Sequence, residues 1–399
     1  MSPAGAQPAS DSTACPGRIA VVTLDYPPAR GGIQTLAHEV YSRLAEHVAF
    51  LLAPAHPGAA AWDASDPAPV VRARCGMSSL AARAGFALEA RWRLRSLPRD
   101  VSLHFLNLYA ARAAGAPALE HAYALWVHGE EILRRRPSRA SQACLSGAGL
   151  IYANSRYTAA AARTLAGPRV PIEIIPLGAP PGWLRRPPSA QAADWRRRLA
   201  PNRAPLILSV GRLTRRDRYK GMDLALEAGA ILRRLGADFR LAVVGEGDDR
   251  AELQSRARAA GIAGWTHWLG RVEADTLVDL YDACDLFLLY SREEAGPRGV
   301  GAEGFGIVFL EAAARGKAAV GGRSGGVTDA IADGVSGVLV SPNQPRELAE
   351  VLLRLLANPT ARARLGEAGK ARVEREYNWD RSAQAVWAAQ RRLSSRPQP

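Results

Sequence analysis

Two glutamates in the segment AEGFGIVFLEAAARGKAAV, residues 302–320, have types and spacing suited to binding one ligand. Glu303 lies in a glycine-bearing loop, and Glu311 lies eight positions later in an apolar helical stretch. The glycines of that loop permit a tight turn, and the free amides at the following helix start favour an anion. An ionised Glu311 on this apolar helix would be costly without a partner, and a ribose diol would supply one. We therefore expect an anion and a sugar at this helix start.

Two fixed cations flank a second loop, in the segment SVGRLTRRDRYKGMD. Arg212 comes just after a predicted strand, and Lys220 comes just before a predicted helix. Arginine offers a planar fork of donors and lysine a point charge, so the pair suits a diphosphate. We interpret the arginines between them as solvated loop charges: Arg215, Arg216 and Arg218.

Two loops in the N-terminal half also follow predicted strands. Gly31 and Gly32 open a helix, and without side chains they allow backbone amides to approach a phosphate or a sugar, although turn formation alone also explains the pair. In WVHGEEI, His128 ends a strand and is either a ligand-binding histidine or a capping or core residue. The sequence lacks G-x-G-x-x-G and a P-loop, which disfavours NAD-binding and ATP-cleaving proteins.

The elements that position these loops alternate between strand and helix. A first series of short apolar runs starts at RIAVVTLDYPP, and a second starts at APLILSVGR, with helical segments after most runs. The proline-rich segment EIIPLGAPPGWLRRPPSA between them is typical of an interdomain linker. Such alternation predicts two mostly parallel sheets covered on both faces, with ligands bound beyond the carboxyl ends of the strands.

Composition limits the classes of protein to consider. The chain has 399 residues, 48% of them hydrophobic and 23% charged, which is enough for two globular domains. Its cysteines have neither C-x-x-C nor zinc spacing, so we expect reduced thiols in a cytosolic protein, with no secretory signal and no membrane span: Cys15, Cys75, Cys144 and Cys284. The net charge of +14 favours an anionic partner, namely a nucleotide diphosphate, a phospholipid surface or nucleic acid.

The motifs EGFGIVFLE, GRLTRRDRYKG, VVGEGDD, LGRV and GGRSGGVTDAI together resemble the retaining glycosyltransferases of family 4. The resemblance covers nearly the whole chain and implies an α/β GT-B fold, in which two Rossmann-like domains face each other across a deep cleft. It implies a disordered tail at 1–17, an acceptor-binding domain at 18–180 and a nucleotide-sugar-binding domain at 181–375. A C-terminal helix and tail at 376–399 would cross back to the first domain.

The resemblance also implies roles for individual residues. Arg212 and Lys220 would hold the donor diphosphate, Glu303 would lie near the donor sugar, and His128 would match the family's active-site histidine. Glu311 would bind the nucleotide ribose. The remaining donor-binding residues would be Gly31, Gly32, Gly245, Glu246, Gly270, Arg271, Val272, Phe305, Gly306, Ile307 and Val308. No D-x-D motif occurs, and the family needs neither a metal nor a cofactor besides its nucleotide-sugar substrate.

The implied activity is retaining transfer of a hexose, with mannose favoured, from a GDP- or UDP-sugar to a glycan, lipid-linked or small-molecule acceptor. EGFGIVFLEAAARGK is most similar to bacterial mannosyltransferases and related hexosyltransferases, which suggests glycan or glycolipid biosynthesis. The basic segments ARAGFALEARWRLRS and ILRRRPSRA suggest either docking on an anionic bilayer or a solvated surface. The expected location is the cytoplasm, with the inner face of the plasma membrane as the docking site.

Several alternatives stay open at this point. The donor could be UDP-glucose or UDP-N-acetylglucosamine with a small-molecule acceptor, or the chain could be a GT-B epimerase or phosphorylase. A basic nucleic-acid-binding protein is the alternative from another class, although no helix-turn-helix, zinc-ligand set or aromatic-interleaved basic stripe supports it. Two departures from the family pattern matter. The long Arg212–Lys220 spacing lets the loop arginines share the phosphate, and the extended loop SREEAGPRGVGAEGFG makes Glu293 and Glu294 ambiguous neighbours of the sugar.

Overall fold

The computed structural model describes residues 18–29, 31–133, 137–296 and 299–394. The predicted N-terminal tail at 1–17, with Cys15, lies outside the described residues, as do residues 134–136 of the basic segment ILRRRPSRA. The domain boundaries suggested by the sequence stay predictions. The strands and helices are given below with their own bounds.

A seven-stranded parallel sheet forms within the described part of the N-terminal half, in the order β3-β2-β1-β4-β5-β6-β7. The four residues of β1 are fully buried at its centre, as expected for a strand covered on both faces. Its strands are β1 (Ile19–Val22), β2 (Val48–Ala53), β3 (Val70–Arg72), β4 (Ser102–Phe105), β5 (Tyr123–Val127), β6 (Leu150–Ala153) and β7 (Ile172–Ile174).

Helices connect these strands and cover both faces of the sheet. Ser and Asn side chains cap several of them; Ser79, for example, accepts a hydrogen bond from the Ala82 amide at 3.1 Å. The helices are α1 (Gly32–Arg43), α2 (Ala59–Asp63), α3 (Leu80–Arg95), α4 (Leu108–Ala114), α5 (Glu130–Leu133), α6 (Arg139–Ser146) and α7 (Arg156–Ala166).

A second parallel sheet of six strands forms in the described C-terminal half, in the order β10-β9-β8-β11-β14-β15. A small antiparallel hairpin, β12–β13, stands apart from it within the extended loop before Glu303. The strands are β8 (Leu206–Val210), β9 (Arg240–Val244), β10 (Thr266–Gly270), β11 (Leu286–Leu289), β12 (Glu294–Gly296), β13 (Gly299–Gly301), β14 (Ala318–Gly322) and β15 (Gly337–Val340).

The helices of this half begin after the proline-rich linker. A 3-10 helix, Arg215–Lys220, carries the predicted phosphate-binding lysine at its end. The α-helices are α8 (Ala190–Leu199), α9 (Met222–Arg234), α10 (Arg250–Ala259), α11 (Ala274–Ala283), α12 (Ile307–Ala314), α13 (Val327–Ala330), α14 (Pro345–Ala357), α15 (Pro359–Glu376) and α16 (Trp379–Ser394). Among the described helices, none is both long enough and apolar enough to cross a bilayer.

The last helix, α16, crosses back to the N-terminal domain and packs against α1. A buried polar chain anchors it: Trp126 Nε1 donates to the Tyr41 hydroxyl at 3.0 Å, and that hydroxyl contacts His104 Nδ1 at 2.8 Å. His104 Nε2 in turn contacts Gln390 Oε1 of α16 at 2.8 Å. Burial lowers the pKa of His104 to about 4, so the ring is neutral and donates to Gln390 while accepting from Tyr41. The two-domain architecture with a returning helix is therefore present.

Candidate active site

An ion pair joins the loop before α12 to the end of the 3-10 helix Arg215–Lys220. Lys220 Nζ lies 2.6 Å from Glu303 Oε2, and the two side chains are only 16% and 14% exposed. Burial alone would lower the pKa of Lys220, but the adjacent Glu303 carboxylate raises it, so the amine is charged. The structure thus brings the predicted phosphate-binding lysine into direct contact with the predicted sugar-binding glutamate.

Arg212, the second predicted phosphate ligand, lies after β8 with its side chain 62% exposed. Its Nε and Nη2 atoms each lie 3.1 Å from a carboxylate oxygen of Asp217, which is almost fully buried. Asp217 therefore orients the Arg212 guanidinium, while most of the arginine side chain faces solvent. A small pocket borders this loop and is lined in part by Gly211, Arg212, Arg218 and Lys220.

The arginines between Arg212 and Lys220 were predicted to be solvated charges; Arg215 and Arg216 are exposed, whereas Arg218 is partly covered. The Arg218 guanidinium binds the buried Asp249 carboxylate, with an Nε–Oδ2 distance of 2.8 Å. Arg216 forms an ion pair with Glu130 of α5, in the other domain. Both arginines therefore have carboxylate partners, because the 3-10 helix folds back toward α10 and α5.

The contact between Arg216 and Glu130 crosses the cleft between the domains. The same carboxylate lies 3.9 Å from Arg212 Nη2. Glu130 directly follows His128 and Gly129, so the carboxyl end of β5 brings both a histidine and an acid to the cations of the C-terminal domain. Sequence reasoning missed Glu130, although its place in the segment WVHGEEI was a usable signal.

The Glu303–Gly304 loop is held between the two domains. Ser155 Oγ donates to the Gly304 carbonyl at 2.6 Å, and the Gly326 amide donates to the Glu303 carbonyl at 2.8 Å. A Cβ on Gly304 would lie only 2.2 Å from the His128 carbonyl oxygen, so this position needs glycine because of close backbone approach. The position of Glu303 therefore depends on both domains being in contact.

A second contact between the domains lies beside the Glu303–Gly304 loop. The Arg156 backbone amide and its Nε atom donate to the two carboxylate oxygens of Asp329, at 2.5 and 2.6 Å. Arg156 begins α7 of the N-terminal domain, and Asp329 lies in α13 of the C-terminal domain. These contacts, together with the one from Ser155, join the two domains beside the Glu303–Gly304 loop.

The start of α12 has the geometry expected of an anion site. Gly306 precedes the helix with φ +89°, a left-handed conformation that favours glycine, and the helix begins at Ile307. The first amides of a helix lack partners within the helix, so those of Ile307 and Val308 are available to a ligand. Phe305 is buried against Tyr377 and anchors the turn instead of facing the ligand with its side chain.

Glu311 has a protein partner that the sequence did not reveal. Tyr281 of α11 donates its hydroxyl proton to Glu311 Oε2 at 2.8 Å. Burial raises the pKa of Glu311 to about 7, and the tyrosine hydrogen bond only partly opposes this. The carboxyl group therefore holds its proton to a higher pH than an exposed glutamate does. Tyr281 lies thirty positions away in sequence, and no local pattern pointed to it.

His128 is oriented by its neighbours. Its Nε2 lies 2.7 Å from the Leu106 carbonyl oxygen, and its ring stacks parallel to Trp126 with centroids 6.2 Å apart. The carbonyl can only accept, so Nε2 carries a proton. The Asp25 carboxyl group is also close. Burial raises the pKa of Asp25, and the nearby His128 partly counteracts this increase. Asp25 lies three residues after the end of β1 and is another residue that sequence reasoning missed.

The predicted glycine pair lies at the start of α1, and the predicted base-binding loops follow β9 and β10. Gly32 begins α1, and an added Cβ there would meet no atom within 4 Å, so its backbone is open to a ligand. In the other domain, the Gly245 amide donates to the Gly270 carbonyl at 2.8 Å. A Cβ on Gly270 would lie 3.3 Å from Glu246 Oε1. The loops after β9 and β10 thus bring together Gly245, Glu246, Gly270, Arg271 and Val272.

The two glutamates of the extended loop have different surroundings. Glu293 forms a hydrogen bond with Tyr157 of α7; burial is the main cause that raises the pKa of Tyr157 to about 12, and Glu293 adds to it. Glu294 begins β12 and lies 3.8 Å from Arg292. In the described residues, no group of three or more His, Cys, Asp or Glu side chains is arranged to hold a metal ion.

Comparison with known proteins gives a family and a set of relatives. Residues 191–372 match the family model "Glycosyl transferases group 1". The whole chain is similar to a Mycobacterium tuberculosis protein named GDP-mannose-dependent alpha-(1-6)-phosphatidylinositol monomannoside mannosyltransferase. The two are 29% identical over 373 residues, covering 91% of this chain and 95% of the relative. The protein of the same name from Mycolicibacterium smegmatis is 28% identical and covers 90% and 94%.

Solved structures agree on the fold. Anabaena HepE in complex with UDP and glucose superposes with a TM-score of 0.75 and 18% identity, covering 93% of this chain and 98% of that chain. The glycosyltransferase WaaG, involved in lipopolysaccharide biosynthesis, gives a TM-score of 0.66 with 18% identity, covering 92% and 98%. At such low identity these likenesses establish the two-domain architecture alone.

Proposed function

We propose that the chain is a GT-B hexosyltransferase that transfers mannose from GDP-mannose to a hydroxyl of a lipid-linked acceptor with retention of configuration. The match of residues 191–372 to the group 1 glycosyltransferase family model supports this proposal. The observation that carries the proposal is the Lys220–Glu303 ion pair before the start of α12, in a loop whose Gly304 closely approaches the His128 backbone. The donor and the acceptor class follow the names of the full-length mycobacterial relatives.

In this proposal, the main task of the site is to stabilise the negative charge that develops on the leaving group. As the anomeric C–O bond breaks, negative charge builds on the diphosphate. Lys220, Arg212 and the first amides of α12 are preorganised donors for that charge. They supply the positive charge that a metal ion supplies in other transferases, so we infer that turnover does not require a metal.

The two glutamates then hold different parts of the donor. Glu303, beside the α12 start, accepts hydrogen bonds from the hydroxyls of the sugar. Glu311, one turn into the helix, accepts from the ribose diol. The loops after β9 and β10, with Glu246 and Arg271, contact the base. His128 faces the transferred sugar, and the Gly31–Gly32 backbone meets phosphate and acceptor. The acceptor hydroxyl attacks from the face that the diphosphate leaves, and a phosphate oxygen takes its proton.

The acceptor hydroxyl belongs to a polyol headgroup in this proposal, and the enzyme works in the cytoplasm at the inner face of the plasma membrane. Nucleic acid is not a partner. A glycan or a small molecule as acceptor, and a UDP-sugar as donor, are the competing assignments.

A thermal-shift panel followed by product analysis tests the proposal. GDP and GDP-mannose should raise the melting temperature more than UDP, ADP and their sugars, because a bound ligand stabilises the folded state. Labelled mannose should enter a lipid extract, the product should be the α-anomer, and EDTA should leave turnover unchanged. Stabilisation by UDP alone, with transfer from a UDP-sugar, would replace the donor assignment.

A further inference from the structure

One carboxylate of the N-terminal domain, that of Asp66, is buried outside the site described above. The residue lies in the connection between β2 and β3, and none of its side chain is exposed to solvent. Burial alone would raise the pKa of Asp66, but hydrogen bonds from His38, Tyr26 and the Ala68 amide lower it, so the group is ionised. A buried charge is costly unless several donors hold it. The donors to Asp66 therefore identify what this charge holds in place.

Four donors converge on the Asp66 carboxylate. The Tyr26 hydroxyl lies 2.7 Å from Oδ2, His38 Nδ1 lies 3.0 Å from the same oxygen, and Trp62 Nε1 lies 3.2 Å from it. The Ala68 amide donates to Oδ1 at 3.0 Å. Because an ionised carboxylate only accepts, His38 carries a proton on Nδ1. The carboxylate thus joins the loop after β1, helix α1 and the segment that runs from α2 to β3.

A second anchor holds the same loop from β3. Arg72, at the end of β3, donates to the Pro27 carbonyl and, at 3.2 Å, to the Pro54 carbonyl. Its guanidinium also forms a two-point ion pair with Asp63, at 2.9 and 2.7 Å, which fixes its orientation. The guanidinium carbon lies 5.6 Å from the centre of the Tyr26 ring. Tyr26 and Pro27, which are neighbours in sequence, are therefore both held by side chains of residues 63–72.

These anchors act on the loop that leads to Gly31 and Gly32. The β1–α1 loop is described at residues 23–29 and 31, and the anchored pair lies in its middle. The loop is also tied to the first turn of α1, because Gln34 Nε2 donates to Asp25 Oδ1 at 3.2 Å. Both glycines are exposed, and neither has a side chain that could fix its own position. The position of the glycine pair therefore depends on contacts made by other residues of the loop.

We propose that Asp66 is a positioning residue for the transfer reaction, because its carboxylate preorganises the β1–α1 loop through Tyr26 and His38. The inference rests on the proposed function, in which the Gly31–Gly32 backbone meets the phosphate and the acceptor. Transfer requires the reacting groups to be placed to within about 1 Å. A loop that is ordered before the substrates arrive also avoids the entropy cost of ordering it during binding. Asp66 acts through the loop and not on the substrates.

Two substitutions in the full chain test the proposal. In Asp66→Asn the side-chain amide must face at least one hydrogen-bond donor, so the network breaks without a change in size. Tyr26→Phe is milder, because it removes one hydroxyl and leaves three donors on the carboxylate. The double variant should lose no more than Asp66→Asn alone, since both substitutions break one contact.

Turnover and nucleotide binding should respond differently. Turnover is measured as GDP released from GDP-mannose with a bacterial lipid extract as acceptor, well below the melting temperature of every variant. It should fall roughly 10- to 100-fold in Asp66→Asn, and less in Tyr26→Phe. GDP affinity, measured by calorimetry, should fall by no more than about threefold, because the proposed nucleotide contacts lie mainly in the C-terminal domain.

Hydrogen exchange measures the loop directly and needs no substrate. A peptide containing Gly31 and Gly32 should exchange about five to ten times faster in Asp66→Asn than in the wild type, because the loop opens more often. Peptides of the C-terminal domain should exchange as in the wild type.

The matched control is Asp285→Asn. Asp285 is also a partly buried aspartate, bound to Arg196 and to the Leu206 amide, but it precedes β11 at the amino edge of the C-terminal sheet. This substitution should lower the melting temperature and leave both turnover and exchange of the β1–α1 loop as in the wild type.

Three results would overturn the proposal. The first is unchanged exchange of the loop in Asp66→Asn, and the second is faster exchange with wild-type turnover. The third is an equal loss of turnover in the Asp285→Asn control, since Asp66 would then serve only the stability of the fold. A wild type that neither binds GDP nor turns over GDP-mannose contradicts the proposed function instead, and hydrogen exchange then still decides whether Asp66 anchors the loop.

Discussion

Glu303 and Glu311 lie eight positions apart, yet their surroundings differ in kind. Glu303 is in a loop, is paired with the charged Lys220, and is fixed by backbone contacts from both domains. Glu311 is inside α12, is paired with the neutral Tyr281 hydroxyl, and has its pKa raised to about 7 by burial. Glu303 thus belongs to an ion pair at the contact between the domains. Glu311 belongs to an apolar environment within the C-terminal domain.

The difference indicates how one short segment can serve two tasks. Orientation at the reacting carbon needs a carboxylate that is held rigidly, and the ion pair with Lys220 and the contacts between the two domains provide this. Binding of the ribose, which is remote from the reacting carbon, needs only a hydrogen-bond acceptor. Glu311 supplies one when its carboxyl group is ionised, which slightly alkaline pH favours. The following predictions separate these two roles, from the largest expected effect to the smallest.

Replacing Lys220 by Ala should have the largest effect, since it removes a cation that stabilises the leaving diphosphate. We expect turnover to fall roughly 100- to 1,000-fold, the scale for loss of one preorganised donor. The free energy of unfolding should also fall by about 3–5 kcal/mol, because the largely buried Glu303 carboxyl group loses its ion-pair partner. Steady-state kinetics and urea unfolding measure the two effects.

The double variant Lys220→Met/Glu303→Gln controls for that second effect. It removes both charges, so most of the lost stability should return while turnover stays low. Near-normal turnover in the single and double variants would shift the phosphate role to Arg212 and the loop arginines.

Glu303→Gln should lower kcat about 100-fold, the upper range for loss of a hydrogen bond to a charged group. GDP lacks the sugar, and the substitution frees Lys220 from its carboxylate partner, so calorimetry should find that GDP affinity does not fall. A large loss of GDP binding with unchanged kcat would contradict a role at the sugar.

Glu311→Gln should act mainly on binding. Its contact with ribose is about equal in the ground and transition states, so KM for the donor should rise while kcat stays near wild type. We expect roughly a tenfold loss of GDP affinity, at the low end for a charged hydrogen bond, because part of the carboxyl population is already neutral at pH 7. Equal loss of GDP binding in both glutamate variants would refute the separation of roles.

Donor affinity should also depend on pH through Glu311. The folded pKa of about 7 lies above the ordinary value of 4.5, so the neutral form is favoured in the free protein and the ionised acceptor appears as pH rises through 7. Affinity for GDP-mannose should therefore increase about tenfold from pH 6 to pH 8, following the ionised fraction. The same titration with Glu311→Gln should be flat, and a slope equal to wild type would assign the effect elsewhere.

Much of the fold was predictable because the strands are short buried apolar runs and the helices between them carry regular apolar spacing. The predicted site residues also lie at strand ends, where parallel topology collects loops. That rule places Arg212 after β8 and His128 after β5 without any knowledge of their contacts.

The partners of these residues could not be predicted in the same way. Tyr281 reaches Glu311 from α11, and Glu130 reaches Arg216 from the other domain, so neither pair has a local sequence pattern. The interpretation of Arg218 as a solvated charge was wrong, because it considered the loop alone and could not include the buried Asp249 carboxylate that binds this arginine. Tertiary packing decides which charges pair, and it depends on how two sheets with their own cores approach each other.

The carboxylates around the phosphate loop have a consequence for how an anion binds. Lys220, Arg212 and Arg216 already have Glu303, Asp217 and Glu130 beside them. A diphosphate entering this site competes with the three carboxylates for the same cations. Binding would therefore replace existing ion pairs with new ones and would not neutralise unpaired positive charges. The affinity for the donor should accordingly respond to ionic strength less steeply than a net charge of +14 would suggest. The strong basicity of the chain thus acts at its outer surfaces, while the reaction centre stays close to electrically balanced.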